Sequence, residues 1–530
     1  MILKKLTFCF LLLITGILVK AQFTKIAEGP EFEEPKSGYT QIVQMKNGGT
    51  VFFRVTLKEG IDVRVYDANH KEKAATTIDP AYEKLNKGAS IAGAFEINGD
   101  VVILISTFAD NMPVLIRLVV DGTKGRIKKE DRVKELSKMN LGQGYAMAFG
   151  GVKMPGFYAS GSQAGNCYAV AAFNTFESDR NKRIEIIVFG ADHKQISRSY
   201  YSSPEEKYKF LDYLDMVVLD DERVSLLVNG YNTRASGGKA SEILLGDLAK
   251  GSKNIMFYQL DLPKDSIVHH GALKYNPVTQ QMIVVVSVLE KERSQTVSNY
   301  LTIVDPVTQK LVKTIPAVLS DKVYGKAYGW LRKKDDFTGV LRDIYINDDG
   351  GFSIAYEEEA IITTQYSTGS STHTNSHLEL NNIAVSVHNK DGTIRSTFLV
   401  PKSNWIEQEF YYSADYGFGN QYKKFSYLNK GDKSYIMLND TERNIAKIEK
   451  DKVPIKVIGN SEFDAFFLSL TGTELIPDRQ YLFGKPENSR EHNIASFGVS
   501  AYDRTNNIYV TLRAMPSGRD KTAKIVWFKL

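Results

Sequence analysis

Cysteine is almost missing from this chain, which has two in 530 residues, Cys9 and Cys167. Cys9 sits in an N-terminal apolar run that is expected to be removed, so the mature chain can form no internal disulfide and must rely on a large core. Cys167, within NCYAVAAF, reads as a small buried hydrophobe. Tryptophan is also scarce, at 3 residues against 28 Tyr and 27 Phe, a balance that favours β-structure. No long apolar stripe of helical period occurs, and 204–216 (PEEKYKFLDYLDM) is the best short helical candidate. Phosphate loops are absent, and the glycines of GQGYAMAFGG (142–151) lack the strand-to-helix setting of a dinucleotide fingerprint. SGSQAG (160–165) lacks the nucleophile-elbow order, and NDDGG (347–351) reads as a turn before a strand, not a calcium loop.

Hydrophobic residues make up 43% and charged ones 24%, which suits a globular chain with a real core and argues against disorder. The first residues, MILKKLTFCFLLLITGILVKAQ, carry Lys4 and Lys5, an apolar stretch from Leu6 to Val19, then Val19-Lys20-Ala21. That pattern predicts a signal peptide cleaved between Ala21 and Gln22, hence export. The apolar run is short for a span and no stop-transfer pattern follows, so no transmembrane segment is expected after cleavage. Removal of residues 1–21 takes away three lysines and no acid, and the formal charge falls from +5 to about +2. No basic stripe for nucleic acid survives.

What is present is a repeat. An apolar strand, a polar turn and a second, strongly apolar strand recur along the whole chain. The second strands read TVFFRVTL, VVILIST, YAVAAF, VSLLVN, MIVVVSV, FSIAYEE, SYIMLN and IYVTLR, each preceded by a turn signal such as NGG, NGD, DDGG or KGD. Outer strands follow: IDVRVYDANHKE, VLIRLVVDGTKGRI, IEIIVFGADHKQI, YLTIVDPVTQKLV and NIAVSVHNKDGTI, with IMFYQLDLPKDS and NIAKIEKDKVPI as looser copies. This predicts an all-β protein, a single β-propeller spanning 22–530 with eight blades, or seven if one loose copy is an insertion. KIVWFKL (524–530) lacks a fourth strand, and FTKIAE (23–28) is a spare strand able to complete that last blade.

Four groups of residues are candidates for function. His373, His377 and His388 raise the question of a metal, but Ser, Thr, Asn and Gly dominate 363–382 and disfavour the helix that would give the four-residue spacing its meaning. The segment reads as a long polar hairpin loop whose Tyr366, Thr372, His373 and His377 would touch a partner, with no metal or cofactor expected. Glu357 and Glu359 are alternate residues at a strand end and could share a channel mouth, as a glycoside-cleaving carboxylate pair would. In 409–427, Tyr411, Tyr412, Tyr416, Phe418 and Tyr422 alternate with small polar residues, a composition suited to stacking on sugars or receiving a partner.

The order DDGGFSIAYEE, NNIAVSVHNKDGTIRSTFLVPK and FSYLNKGDKSYIMLND resembles exported β-propellers of Gram-negative bacteria with type IX secretion. Gly350-Gly351, Glu357, Asp391-Gly392, Pro401-Lys402 and Asn439-Asp440 occupy the matching places. The resemblance implies fold and address more than activity: the periplasm or the outer membrane, with one related propeller accompanying an outer-membrane secretion channel. Asp265-Ser266-Ile267 is similar to an O-glycosylation acceptor of such envelopes, at Ser266. The expectation is therefore a non-catalytic propeller that binds an envelope or outer-membrane protein complex. The alternative is a carbohydrate-binding or carbohydrate-active propeller with a glycan ligand.

Overall fold

The computed structural model describes residues 23–530 except 36–37, 57–59, 80–88, 202–206, 235–239, 265, 290–296, 309, 318, 324, 327–336, 338, 369–370, 408–421, 458, 460, 489–490 and 516–520. For 269, 316, 366–368, 371–373 and 407 only the backbone is described. The chain is a single eight-bladed β-propeller: blades 1 to 7 are each an antiparallel sheet built on four successive strands, with Asn404–Glu407 added to blade 6, and blade 8 takes its outer strand from the N-terminal segment. Blade 1 runs Tyr39–Gln44, Thr50–Val55, Ile61–Tyr66, Glu72–Ile78, and the pattern repeats to blade 8, built on Ile508–Ala514 and Thr522–Lys529.

The eight apolar segments read from the sequence are the second strands of the eight blades. They are buried on both faces because each lies between two neighbouring blades; Cys167–Phe173 is buried along its whole length. Val101 and Ile103 pack towards blade 1, while Val102 and Leu104 pack towards blade 3. Eight apolar clusters of this kind fill the gaps between consecutive blades, and the one between blades 8 and 1 closes the ring. That unbroken circuit decides eight blades over seven. Blades 3 and 4 are further joined edge to edge, where Gln195–Tyr201 pairs in parallel with Asn254–Gln259.

The closing strand is N-terminal. Thr24–Glu28 pairs antiparallel with Thr522–Lys529, from Thr24 opposite Lys529 to Glu28 opposite Val526. Phe23 inserts among Tyr435, Phe467, Tyr509 and Phe528, and Arg513 Nη1 reaches Glu28 Oε1 at 2.8 Å.

Three expectations are corrected. In blade 4 the third strand is Ser241–Leu248, and IMFYQ belongs to the fourth, Asn254–Gln259. In blade 7, NIAKIE lies in a helix, Glu442–Glu449, and the third strand is Asp464–Ser469. The 204–216 candidate yields a strand from Phe210, because its alternate residues fit between blades 3 and 4; the other described helix of this length is Leu141–Phe149. No helix among the described residues is long and apolar enough to cross a membrane.

Strand alternation sorts the connections onto two ends of the ring. First-to-second and third-to-fourth turns share one end, the turn face; second-to-third and fourth-to-first connections share the other, the loop face. Most turns on the turn face are short, the 470–479 connection of blade 7 being longer, and Gly48 and Gly350 adopt φ of 83° and 81° there, a conformation other residues resist. Both helices lie on the loop face.

Removing Phe23–Glu28 should expose the Thr522–Lys529 edge, lower the melting temperature and produce concentration-dependent association visible by light scattering. Phe23→Ala alone should cost about 3 kcal/mol in urea unfolding, from cavity formation.

Candidate functional site

The innermost strands succeed one another around a central channel. Four of them carry a register shift, at Ile91/Gly93, Tyr213/Asp215, Val268/His270 and Leu341/Asp343, and those of blades 4 and 6 lie at the same level. A bulge bends its strand and re-aims the next side chain. In blades 4 and 6 that next residue is a carboxylate, Asp215 or Asp343. Asp215 accepts hydrogen bonds from the Met216 and Leu273 amides, both at 2.8 Å. Asp343 accepts one from the Ile344 amide at 2.8 Å. Lys274, on the intervening inner strand of blade 5, places Nζ 3.1 Å from Asp343 Oδ1.

The electrostatics of this trio follow from enclosure. Burial pushes the Asp215 carboxyl above the usual range, against Lys274 and the two amides. The neighbouring Asp343 carboxylate holds Lys274 above its ordinary value, although burial opposes it. Lys274 and Asp343 open into a cavity of about 1170 Å³ on the turn face. Tyr275, Asp305, Arg223 and Arg504 also line it, so both signs of charge face one space. The arrangement suits a polar, uncharged or zwitterionic ligand that needs donors and acceptors together.

The sequence candidates lie elsewhere, mostly towards the loop face. Glu357 is not on an innermost strand: it sits on Phe352–Thr368, the second strand of blade 6, and is buried. Arg342 gives Nε to Glu357 Oε2 and Nη2 to Glu359 Oε2, each at 2.7 Å, and Lys402, itself buried, pairs with Glu357 Oε1. Burial raises the Glu357 pKa, but Lys402 and Arg342 outweigh it and leave the carboxyl below its ordinary range. Glu358, at the bulge between them, accepts from Asn382 Nδ2 at 2.8 Å. This is a charge clamp, since a general acid needs a raised pKa and an approachable proton.

The polar segment around the histidines is a two-stranded arm. Phe352–Thr368 pairs with Ser371–His388 down to Thr368 opposite Ser371. Tyr366, Thr372 and His373 lie near its tip, where only the backbone is described. His377 is buried at its base, stacked 3.6 Å from the Trp405 ring with Nε2 3.2 Å from Glu379. His388 Nδ1–H donates to the Gly392 carbonyl at 2.9 Å, and Nε2 accepts from the Ser386 hydroxyl at 2.8 Å. Burial lowers its pKa. These two histidines are thus committed to different protein partners, and among the described residues no cluster of ligating side chains is suited to a metal ion.

Tyr422 is a core residue, its hydroxyl donating to Glu34 Oε1 at 2.8 Å across blades 7 and 8. Tyr411, Tyr412, Tyr416 and Phe418 lie outside the described residues, as do Ala21 and Gln22. Ser266 is half-buried, with its carbonyl taken by Ser241 Oγ. Cys167 is buried, and burial raises its thiol pKa. Asp215, Lys274 and Asp343 were not singled out in the sequence. Aligning FLDYLDMVV with VLRDIYI would have revealed a carboxylate at the same place in two inner strands.

No family model and no curated protein matches the chain. Among solved structures, it is similar to a polysaccharide lyase, Uly1, at 9% identity and a TM-score of 0.43, over 96% of this chain and 99% of that one. A dipeptidyl peptidase 4 from Porphyromonas gingivalis gives 9% and 0.41, over 92% and 59%. A protein of unknown function from Dyadobacter fermentans gives 8% and 0.33, over 96% and 99%. Similarity this low carries no argument about activity.

Glu357→Ala should destabilise the fold by about 3–5 kcal/mol, because Lys402 is then buried without its counter-charge. The double variant with Lys402→Met should recover part of that loss in a denaturant cycle. Because the Glu357 pKa is depressed on folding, the clamp's contribution is complete above the ordinary value of 4.5 and fades as pH falls through the lower folded value. The wild type should therefore lose stability more steeply than Glu357→Gln below about pH 4.5, measured by thermal melts across pH.

Proposed function

We propose that this propeller binds a polar, saccharide-like ligand at the turn-face mouth of its central channel. The observation that carries the reading is the cavity of about 1170 Å³ with Lys274 and Asp343 presented side by side at its wall. That volume exceeds the ordinary ligand pocket of about 300–1,000 Å³, so more than one sugar ring fits. Hydroxyl groups can donate to Asp343 and Asp305 and accept from Lys274, Arg223 and Arg504. The inner strands Ile267–Asn276 and Val340–Ile346 hold Lys274 and Asp343 in place before binding, which lowers the ordering cost.

A second reading is a protein-binding subunit at the cell envelope, delivered there after loss of residues 1–21, in the manner of the type IX propellers that blades 6 and 7 resemble. The arm supports it. Its strands run 17 and 18 residues, whereas the other second strands have 6–10; the base is tied to the blade by Asn404–Glu407, and beyond it Thr363–Thr368 and Ser371–Ser376 pair with each other.

Glycan arrays followed by calorimetry on the chain from residue 22 separate the two. Binding of a neutral oligosaccharide that Asp343→Asn weakens at least tenfold, with the melting temperature unchanged, supports the cavity. An array with no signal, together with an envelope pull-down that loses its partner when 366–376 is deleted, removes the cavity reading in favour of the second.

A further inference from the structure

The connection from blade 2 to blade 3 holds a feature that neither reading uses. Leu141–Phe149 (LGQGYAMAF) is a helix with no buried residue. Nine residues with two glycines make a marginal helix in water, so its ends have to be tied. They are: Asn140 and Gln143 cap each other reciprocally at 2.9 Å, and the Gly150 amide closes on Ala146 O at 2.9 Å. The excursion is fixed to the ring at its base, where Leu136 and Val152 are buried, Met139 N bonds Asn111 O, and Lys153 N bonds Tyr231 Oη.

This supported element holds apolar side chains out in solvent. Leu141 is 86% exposed, Tyr145 67%, Phe149 83% and the following Met154 52%. The first three are spaced four residues apart and share one face. Along the chain the charge beside them is of one sign. No Asp or Glu occurs from 136 to 176, while Lys138 and Lys153 flank the helix and are exposed. Lys153 leans towards Asp212 at 3.5 Å with most of its side chain in solvent. The arm on the same loop face has no Asp, Glu, Lys or Arg from 360 to 376.

We propose that this helix docks the propeller on an anionic phospholipid surface, inserting Leu141, Tyr145, Phe149 and Met154 at the headgroup boundary with Lys138 and Lys153 against lipid phosphates. Apolar and aromatic side chains on one face with flanking lysines are the chemistry of an interfacial helix. A specific protein interface buries about 800 Å² and some 20–30 residues on each side; four side chains on and beside one short helix supply a small part of that, whereas shallow insertion needs no more than these. The helix is on the loop face and the cavity on the turn face, so a docked molecule presents the cavity away from the bilayer.

Co-flotation of the chain from residue 22 with phosphatidylglycerol–phosphatidylethanolamine vesicles tests this. Expected are binding to these vesicles, weaker binding to phosphatidylcholine, and at least a tenfold loss for the triple variant Leu141→Ser, Tyr145→Ser, Phe149→Ser with an unchanged melting temperature. In a Tyr145→Trp variant, vesicles should shift the tryptophan emission to the blue relative to the same vesicles added to wild type. Absence of wild-type binding, or equal binding by the triple variant, overturns the proposal. So does a vesicle-free dimer that the triple variant dissolves, which would make a second copy the occupant.

Discussion

Everything in this molecule depends on closing a ring of sheets that have no covalent cross-link. A propeller blade is apolar on both faces, so any blade lacking a neighbour would show water a whole wall of Val, Ile, Leu and Phe, at a cost of about 1.5–3 kcal/mol for each side chain left uncovered. The seam between blades 8 and 1 is where that condition is met or lost. Trp527 is buried there against Tyr66, stacks on His70, and donates Nε1–H to Thr50 Oγ1 at 2.9 Å. On the other side of blade 8, Phe23 and Thr24–Glu28 cover the last edge. The two ends of the chain thus meet in one sheet, and cooperative closure takes the place of disulfides.

Polar ties hold the blades in register where apolar packing alone would let them slide. Arg117 forks onto Asp131 at 2.8 and 2.6 Å within blade 2 and gives its remaining nitrogen to Tyr168 Oη and His193 O of blade 3. Arg479 does the same between blades 6 and 7, pairing with buried Asp440 at 3.0 Å and donating to Pro401 O. Asn439 bonds Tyr422 O and both backbone groups of Ala495. Geometry of this directional kind specifies one arrangement more than it adds stability. It also gives the motif residues Glu357, Pro401-Lys402 and Asn439-Asp440 a mechanical role: they are the struts of blades 6 and 7.

The second strands were legible because they are buried on both faces, so their apolar runs do not depend on which neighbour they meet. Third and fourth strands were harder to place. Ser241–Leu248 reads as SEILLGDL, with acids at both ends, and NIAKIE has enough β-branched residues to pass for a strand. The helix at Glu442–Glu449 is marked by local signals that a strand reading passes over: Thr441 accepts from the Arg443 amide, and Asp440 accepts from Asn444 Nδ2.

By itself the sequence determined the all-β class, the repeat and the strand that closes it, since these follow from periodicity and residue inventory. Tertiary structure alone decided where chemistry can occur. Acidity at 357–359 looked like a site and is neutralised by Arg342 and Lys402, which are distant in the chain and adjacent in space. Lys274 and Asp343 looked ordinary and become a pair only because blades 5 and 6 turn their inner strands onto one channel. Electrostatics act through distance in space, and sequence records only distance along the chain.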